Sequence, residues 1–246
     1  MFFRIIRLNI KASYFLAKKF QPFFLGNRNY EKDLKRLIIS SITKREKLSI
    51  LELGGIDRPI LKKNKNYVYS GLDIESNENC YKVYDNFIKQ SIEEVIVGKF
   101  NIIISTTLME HVNDNNKSFF NIYNSLVNGG YTYHYIPSKN HFYSLILRLV
   151  GPRLQKIIIK YLRPQASLAT TGYPAFFHLC SYHELRKLLK RIGFTEIKII
   201  PYYKATDYFA FCTPLYLIIA CLENIIEYFN LEIFAAGLIV SAKKPN

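Results

Sequence analysis

A chain of 246 residues, 49% hydrophobic and 22% charged, is long enough for one full α/β core with decorations and too short for two independent domains of ordinary size. The excess of 34 Lys and Arg over 19 Asp and Glu, a net +15, asks for an anionic partner or surface and says nothing about fold. Cys80, Cys180, Cys212 and Cys221 have no CxxC pairing or disulfide-like spacing, which points to reduced thiols in a cytoplasmic protein; His178, Cys180 and His183 in HLCSYH lack the number and spacing of zinc ligands, so no metal is expected.

The first segment, MFFRIIRLNIKASYFLAKKF, places Arg4, Arg7, Lys11 and Lys18 at near-heptad spacing. A helix would gather them on one face and Phe3, Ile6, Ile10, Tyr14 and Ala17 on another, the pattern of a helix lying at a membrane interface or packed on its own domain. The same charges interrupt any apolar core that a signal peptide or a membrane span requires. Pro22 and Gly26 end this helix, and Tyr30 to Glu46 reads as a mixed-charge helix, so 1–47 forms an N-terminal pair of amphipathic and lead-in helices.

Leu48, Ile50, Leu51 and Leu53 then form a short apolar run ending at Gly54-Gly55, as a buried parallel strand does when it enters a loop where backbone meets a ligand. Asp57 and Pro59 read as the start of a short helix, whose free amides would face an anionic group. A second apolar strand, Tyr67 to Leu72, ends in Asp73, where doubly wound folds place a carboxylate for the ribose hydroxyls of a nucleotide. A third strand is expected at Tyr81 to Tyr84, ending in Asp85, with Ser91 and Glu94 as a capping box for a helical turn. Phe100 to Thr106 is a near-continuously apolar fourth strand, hence central, and its end leads into Thr107, Glu110 and His111. An amphipathic helix, Asn116 to Val127, stops at Gly129-Gly130, and the fifth strand, Tyr131 to Ile136, is closed by Pro137.

ILELGG, GLDIE, FNIIISTTLMEHVND and LVNGGYTYHYIP, in that order, resemble the successive motifs of the class I S-adenosylmethionine-dependent methyltransferases, in particular the group with an "EHV" signature after the fourth strand. The likeness covers Leu48 to Pro137. It implies an α/β fold: a Rossmann-like, seven-stranded, mostly parallel sheet with helices on both faces, here carrying apolar and basic helical insertions. It also implies S-adenosyl-L-methionine as cofactor, held by Glu52, Gly54, Gly55, Asp73, Ile74, Asp85, Thr106 and Glu110, with Asp73 on the ribose, Ile74 against the adenine and Asp85 at the adenine amino group. The chain departs from the family's glycine loop, because Ile56 and Arg58 stand where the second and third glycines are usual.

The methyltransferase domain would span 48–246, with insertions at about 142–180 and 208–229. Between Asp114 and Glu184 there is no acidic residue, while Lys117, Lys139, Arg148, Arg153, Lys156, Lys160 and Arg163 all fall there. Phe142 to Arg163 therefore suits an anionic lipid surface better than a core, and the following loop to Ser181 suits a lid or acceptor wall. Tyr182 to Phe194 is a helix opened by Ser181 and Glu184, Thr195 to Tyr203 the sixth strand, Tyr208 to Leu222 an apolar insertion too short to cross a bilayer, and Phe234 to Ala242 the last strand.

The acceptor expected on this reading is a hydroxyl of a glycan, a lipid-linked molecule or a hydrophobic small molecule, met in the cytoplasm at the inner face of the membrane. His111 is the first candidate for a general base, with His134 and His141 next, because an oxygen nucleophile must lose its proton and histidine titrates near neutrality. A nucleic-acid methyltransferase would also account for the charge, but STTLME replaces the Asn/Asp-Pro-Pro-Tyr/Phe loop of enzymes that methylate base amino groups, and no RNA-binding module is recognisable. A non-catalytic relative, kept as a membrane-docked scaffold, is the reading that the altered glycine loop would favour.

Overall fold

The computed structural model describes residues 2–26, 28–42, 48–146, 148–151, 154 and 173–246. They fall into two compact units, one made of Tyr30–Pro137, Phe177–Ile200 and Leu238–Asn246, the other of Met1–Asn29, Ser138–Phe176 and Pro201–Gly237.

The first unit is built on a seven-stranded sheet. Its strands are β1 (Leu48–Leu53), β2 (Tyr67–Asp73), β3 (Asn86–Lys89), β4 (Phe100–Thr106), β5 (Leu126–Pro137), β6 (Thr195–Tyr202) and β7 (Gly237–Lys243), in the order β3-β2-β1-β4-β5-β7-β6. β1 and β4 are apolar along almost their whole length because both faces are covered; Ile50, Leu51, Ile102, Ile103 and Ile104 have essentially no exposed surface. The β1, β2, β3, β4 and β5 pairings are parallel, with Ile50 opposite Ile102 and Glu52 opposite Ile104. β7 lies between β5 and β6 and runs antiparallel to β5, since Ser138 donates to Ala236 (3.0 Å) and Gly129 to Lys244 (3.0 Å), so that one strand ascends as the other descends. The chain leaves β1 towards β2 and β3 and then returns to β4 on the other side, which opens a crevice between the carboxyl ends of β1 and β4.

Several expected elements are placed differently. No helix follows Asp57; the segment runs as turns, because the amides of Ile60 and Leu61, which a helix would leave free, donate to the Glu52 carboxylate and the Tyr69 hydroxyl. Tyr81 to Tyr84 is not a strand. Asn77 accepts the Asn79 amide (2.9 Å) and starts the single helical turn α3 (Cys80–Val83), and the strand comes later, at Asn86–Lys89. Ser91 and Glu94 close a turn, not a helix.

Helix α4 (Asn115–Ser125) is capped by Asp114, which accepts from the Asn116 and Lys117 amides, and α5 (Tyr182–Ile192) ends at Gly193 with φ +108. Helix α2 (Tyr30–Ile42) belongs to the sheet unit: Tyr30 stacks on Tyr135 at 3.7 Å, and Ser41 shares a hydrogen bond with Tyr133.

The second unit pairs α1 (Phe2–Lys19) with α6 (Thr213–Tyr228), a helix with Pro214 in its first turn that continues past the expected end at Leu222. Ser13 donates to the Ala210 carbonyl (3.1 Å), the Thr213 amide donates to Asn9 (3.0 Å), and Phe24 stacks on Tyr216 with centroids 5.0 Å apart. On α1, Ile6 and Ser13 are buried and Ile10 and Ala17 half-buried, so Ile6, Ile10 and Ala17 of the apolar face picked out in the sequence pack within this unit, while Tyr14 is exposed. Arg153, Lys156, Lys160 and Arg163, with most of the expected lid, lie outside the described residues.

Candidate functional site

The crevice is floored by the loop after β1. Gly54 has φ +77 and donates its amide to Leu72 (2.8 Å), which ties the loop to the end of β2. Gly55 has no room for a side chain: a Cβ there would lie 2.2 Å from the Tyr84 hydroxyl and 2.9 Å from the Glu52 carboxyl carbon. Ile56, at the family's second glycine place, takes the left-handed backbone (φ +46) that glycine favours, so the chain follows a glycine path without the glycine. Glu52 is buried under this loop and accepts from the Ile60 amide, the Tyr69 hydroxyl and the Tyr84 hydroxyl (3.1 Å). Burial pushes its carboxyl up to about 7, with those donors pulling the other way.

Above the loop lies a cavity of about 400 Å³, lined by Gly54, Gly55, Arg58, Pro59 and Ile60, by Thr106 and Thr107 from the end of β4, and by Tyr30, Leu34 and Lys35 of α2. That volume lies within the range of small-ligand sites. Asp73 stands at the end of the neighbouring strand, half-buried, with Oδ1 accepting the Glu75 amide (2.9 Å); burial foremost raises its carboxyl above the ordinary range. Ile74 beside it is 61% exposed, an apolar side chain held out at the sheet edge. The two loops are bridged by Asn77, which donates to Asp57 (3.1 Å).

Asp85 lies at the other end of the sheet. It precedes β3, where its carboxylate accepts the Tyr69 amide (2.9 Å) and meets Lys63 at 3.6 Å, so it cannot serve an adenine at the carboxyl ends of the strands. The residue that does sit at the end of β3 is Gln90, whose amide donates to the Asp73 carbonyl (2.9 Å). Thr107, named from the sequence at the end of β4, lines the cavity, whereas Gln90, Tyr30 and Lys35 were not among the residues singled out. Only the correct register of β3 would have found Gln90, and the two others are supplied by packing.

Thr106 lines the cavity, and its buried Oγ1 has no hydrogen-bond partner among the described residues. Glu110, in the short turn Met109–His111, is buried, with Oε2 unpartnered among the described residues and Oε1 3.7 Å from the His111 Nε2; burial pushes its carboxyl up to about 8. The His111 side chain keeps 34% of its surface exposed.

The other two histidines are differently placed. His134 lies inside the sheet, bonded to Ser105 at 2.7 Å and to Thr132, edge-on to Phe119 at 5.3 Å, and burial depresses it to about 3. It is a neutral core residue with no exposed surface, which corrects its candidacy as a base. His141 belongs to the other unit, 1% exposed, accepting the Tyr143 amide (3.3 Å), and burial depresses it to about 4. His178 accepts the Asn115 amide (3.0 Å) and so anchors the first turn of α4.

A glycine cradle at the switch point beside a cavity, and a carboxylate at the end of the next strand, stand where ligands meet a doubly wound sheet. Comparison with solved structures agrees on the fold. The CurJ carbon methyltransferase superposes with a TM-score of 0.55 at 12% identity over 88% of this chain and 54% of that one. Phosphoethanolamine N-methyltransferase 2 of Haemonchus contortus, in complex with S-adenosyl-L-methionine, gives 0.52 at 13% over 87% and 53%. A possible histamine N-methyltransferase of Thermotoga maritima gives 0.53 at 16% over 93% and 96%. The chain spans about half the length of the first two. No protein-family model and no curated protein matches the sequence. The chain has the class I S-adenosylmethionine-dependent methyltransferase fold.

Proposed function

We propose that the protein is an S-adenosylmethionine-dependent methyltransferase acting on a hydroxyl of a glycan, a lipid-linked molecule or a hydrophobic small molecule at the inner membrane surface. The observation that carries the cofactor reading is the Gly54-Gly55 cradle facing a 400 Å³ cavity, with the Asp73 carboxylate at the next strand end. The residues suit that cofactor: the bare backbone of Gly54 and Gly55 can approach its methionine part, Asp73 keeps acceptor capacity for two ribose hydroxyls, and exposed Ile74 can cover an adenine face.

When bound, the cofactor supplies an electrophilic methyl group. The chain's task is then to align the acceptor oxygen with that methyl, to keep water out and to take a proton. His111 is the candidate base that keeps exposed surface, in the turn that follows β4, whose last residue Thr106 lines the cavity.

Calorimetric titration with S-adenosylhomocysteine tests this. Wild type should bind at micromolar level, and Asp73→Ala should weaken binding by about 10- to 100-fold, the worth of a hydrogen-bonded charge. No heat from a folded wild type would overturn the reading and favour the scaffold alternative suggested by Ile56.

A further inference from the structure

The unit that contains α1 and α6 carries apolar surface that its own packing does not use. At 100° per residue, Ile5, Leu8, Ala12 and Phe15 form a stripe on α1 about 130° from the packed face of Ile6, Ser13 and Ala17. This stripe is open to solvent, with Ile5 49%, Leu8 58% and Phe15 65% exposed. Arg4, Arg7, Lys11 and Lys18, all exposed, run along one flank of it, about 80° round the helix.

Helix α6 repeats the arrangement. Tyr216, Ile219, Ala220 and Glu223 are buried on one side; Leu217, Ile218, Leu222, Ile225 and Tyr228 are exposed on the opposite side. No charge interrupts that exposed arc: Glu223 is buried, and Glu227 is held by Arg28 at 2.7 Å. A helix on the surface of a water-soluble domain normally turns its charged face outwards, and here the outward face is the apolar one. Most of the large hydrophobics exposed among the described residues belong to this unit.

Charge decides what covers it. Positions 1–29 hold Arg4, Arg7, Lys11, Lys18, Lys19 and Arg28 and no carboxylate. A second copy docked on this face would set those cations against their equals, whereas a bilayer with anionic headgroups offers phosphates to the cations and acyl chains to the stripes.

We propose that α1 and α6 form an in-plane docking surface for an anionic lipid bilayer. Ile5, Leu8 and Phe15 of α1 and Ile218, Leu222 and Ile225 of α6 enter the acyl boundary, with the α1 cation row on the headgroup phosphates. Docking itself needs no cofactor; that it brings the protein to its acceptor rests on the methyltransferase reading above.

The test is co-sedimentation of the full chain with vesicles of phosphatidylcholine alone and of phosphatidylcholine mixed with phosphatidylglycerol. Wild type should bind the mixed vesicles, less well as salt rises. The pair Leu8→Ser and Phe15→Ser, and separately Ile218→Ser and Ile225→Ser, should each lower vesicle affinity by about tenfold or more. Arg4→Gln and Arg7→Gln should lower it about fivefold per charge on mixed vesicles only.

Wild type remaining in the supernatant with both vesicles overturns the proposal. So do serine variants that sediment like wild type, and so does a dimer in analytical ultracentrifugation that the serine variants dissociate, which would assign the face to a second copy. Titration of the same samples with S-adenosylhomocysteine keeps the two readings apart, because a protein that binds the nucleotide and ignores vesicles refutes only the docking surface.

Discussion

Tyr84 donates its phenol hydrogen to Glu52 at 3.1 Å, and the same phenol oxygen occupies the space that a Cβ on Gly55 would need, 2.2 Å away. One side chain from the turn before β3 thus fixes both the carboxylate under the loop after β1 and the choice of glycine in it. Gly55→Ala should push Tyr84 off Glu52, lower stability by about 1–3 kcal/mol and weaken S-adenosylhomocysteine binding; a thermal melt and a titration check both. Ile56 has no such conflict, since it already holds its left-handed backbone.

Glu52→Gln separates structure from charge. The amide can still accept from Ile60, but its NH2 faces the Tyr69 and Tyr84 hydroxyls, which must turn from donors to acceptors. Both phenols are buried with their titration raised, foremost by burial, so they remain protonated and can make that turn. Melting should change by a few °C, about 2–4 °C per kcal/mol for a chain of this size. A collapse of folding would show that the carboxylate's charge is indispensable.

Above about pH 6.5, where buried His134 and His141 no longer act in the opposite sense, stability should fall as pH rises to about 8. Burial lifts Glu110 from 4.5 to about 8 and Glu52 and Glu223 to about 7. Between 4.5 and those values the native chain keeps protons that the unfolded chain has released, so their contribution is complete below about 4.5, declines with rising pH and levels off above about 8. Glu110→Gln removes the group with the largest lift and should flatten the melting-temperature profile between about pH 4.5 and 8, most visibly between 7 and 8, where it is the last of the three to titrate. An unchanged slope would show that Glu110 is not the titrating group.

The histidines should separate by experiment as they do by place. His111→Ala should leave S-adenosylhomocysteine binding intact and lower methyl transfer to total membrane lipids by about 10²- to 10⁴-fold, the range for a general base. His134→Ala should instead lower the melting temperature, because it empties a core site and leaves the hydroxyls of Ser105 and Thr132 without their shared partner. Equal turnover in His111→Ala and wild type would remove the base from the scheme and leave alignment alone.

What was legible in the sequence was what continuous burial writes there. β1, β2 and β4 show as apolar runs because both faces are covered, and Gly54 and Asp73 were found because they end such runs. β3 carries no such signal; its four residues NFIK are half-exposed at the sheet edge, while YKVY just before them alternates like a strand. Asn77 and the inward turn of Tyr84 settle the matter, and Asp85 lost its expected place with the register. His134 looked available because its partner Ser105 lies 29 residues away. On α1 two apolar stripes share helical spacing, and only the position of α6 decides which one packs.

The Glu52 carboxylate joins residues 8, 17 and 32 positions further along the chain. The segment from Gly54 to Ile60 is a loop by its backbone, yet its anchor, Glu52, belongs to β1 inside the sheet. It should therefore behave in hydrogen exchange as part of the central strands. The Ile60 amide, though outside any helix or strand, should exchange on the timescale of global opening, and a ligand entering the crevice would meet a wall that yields only when the sheet does.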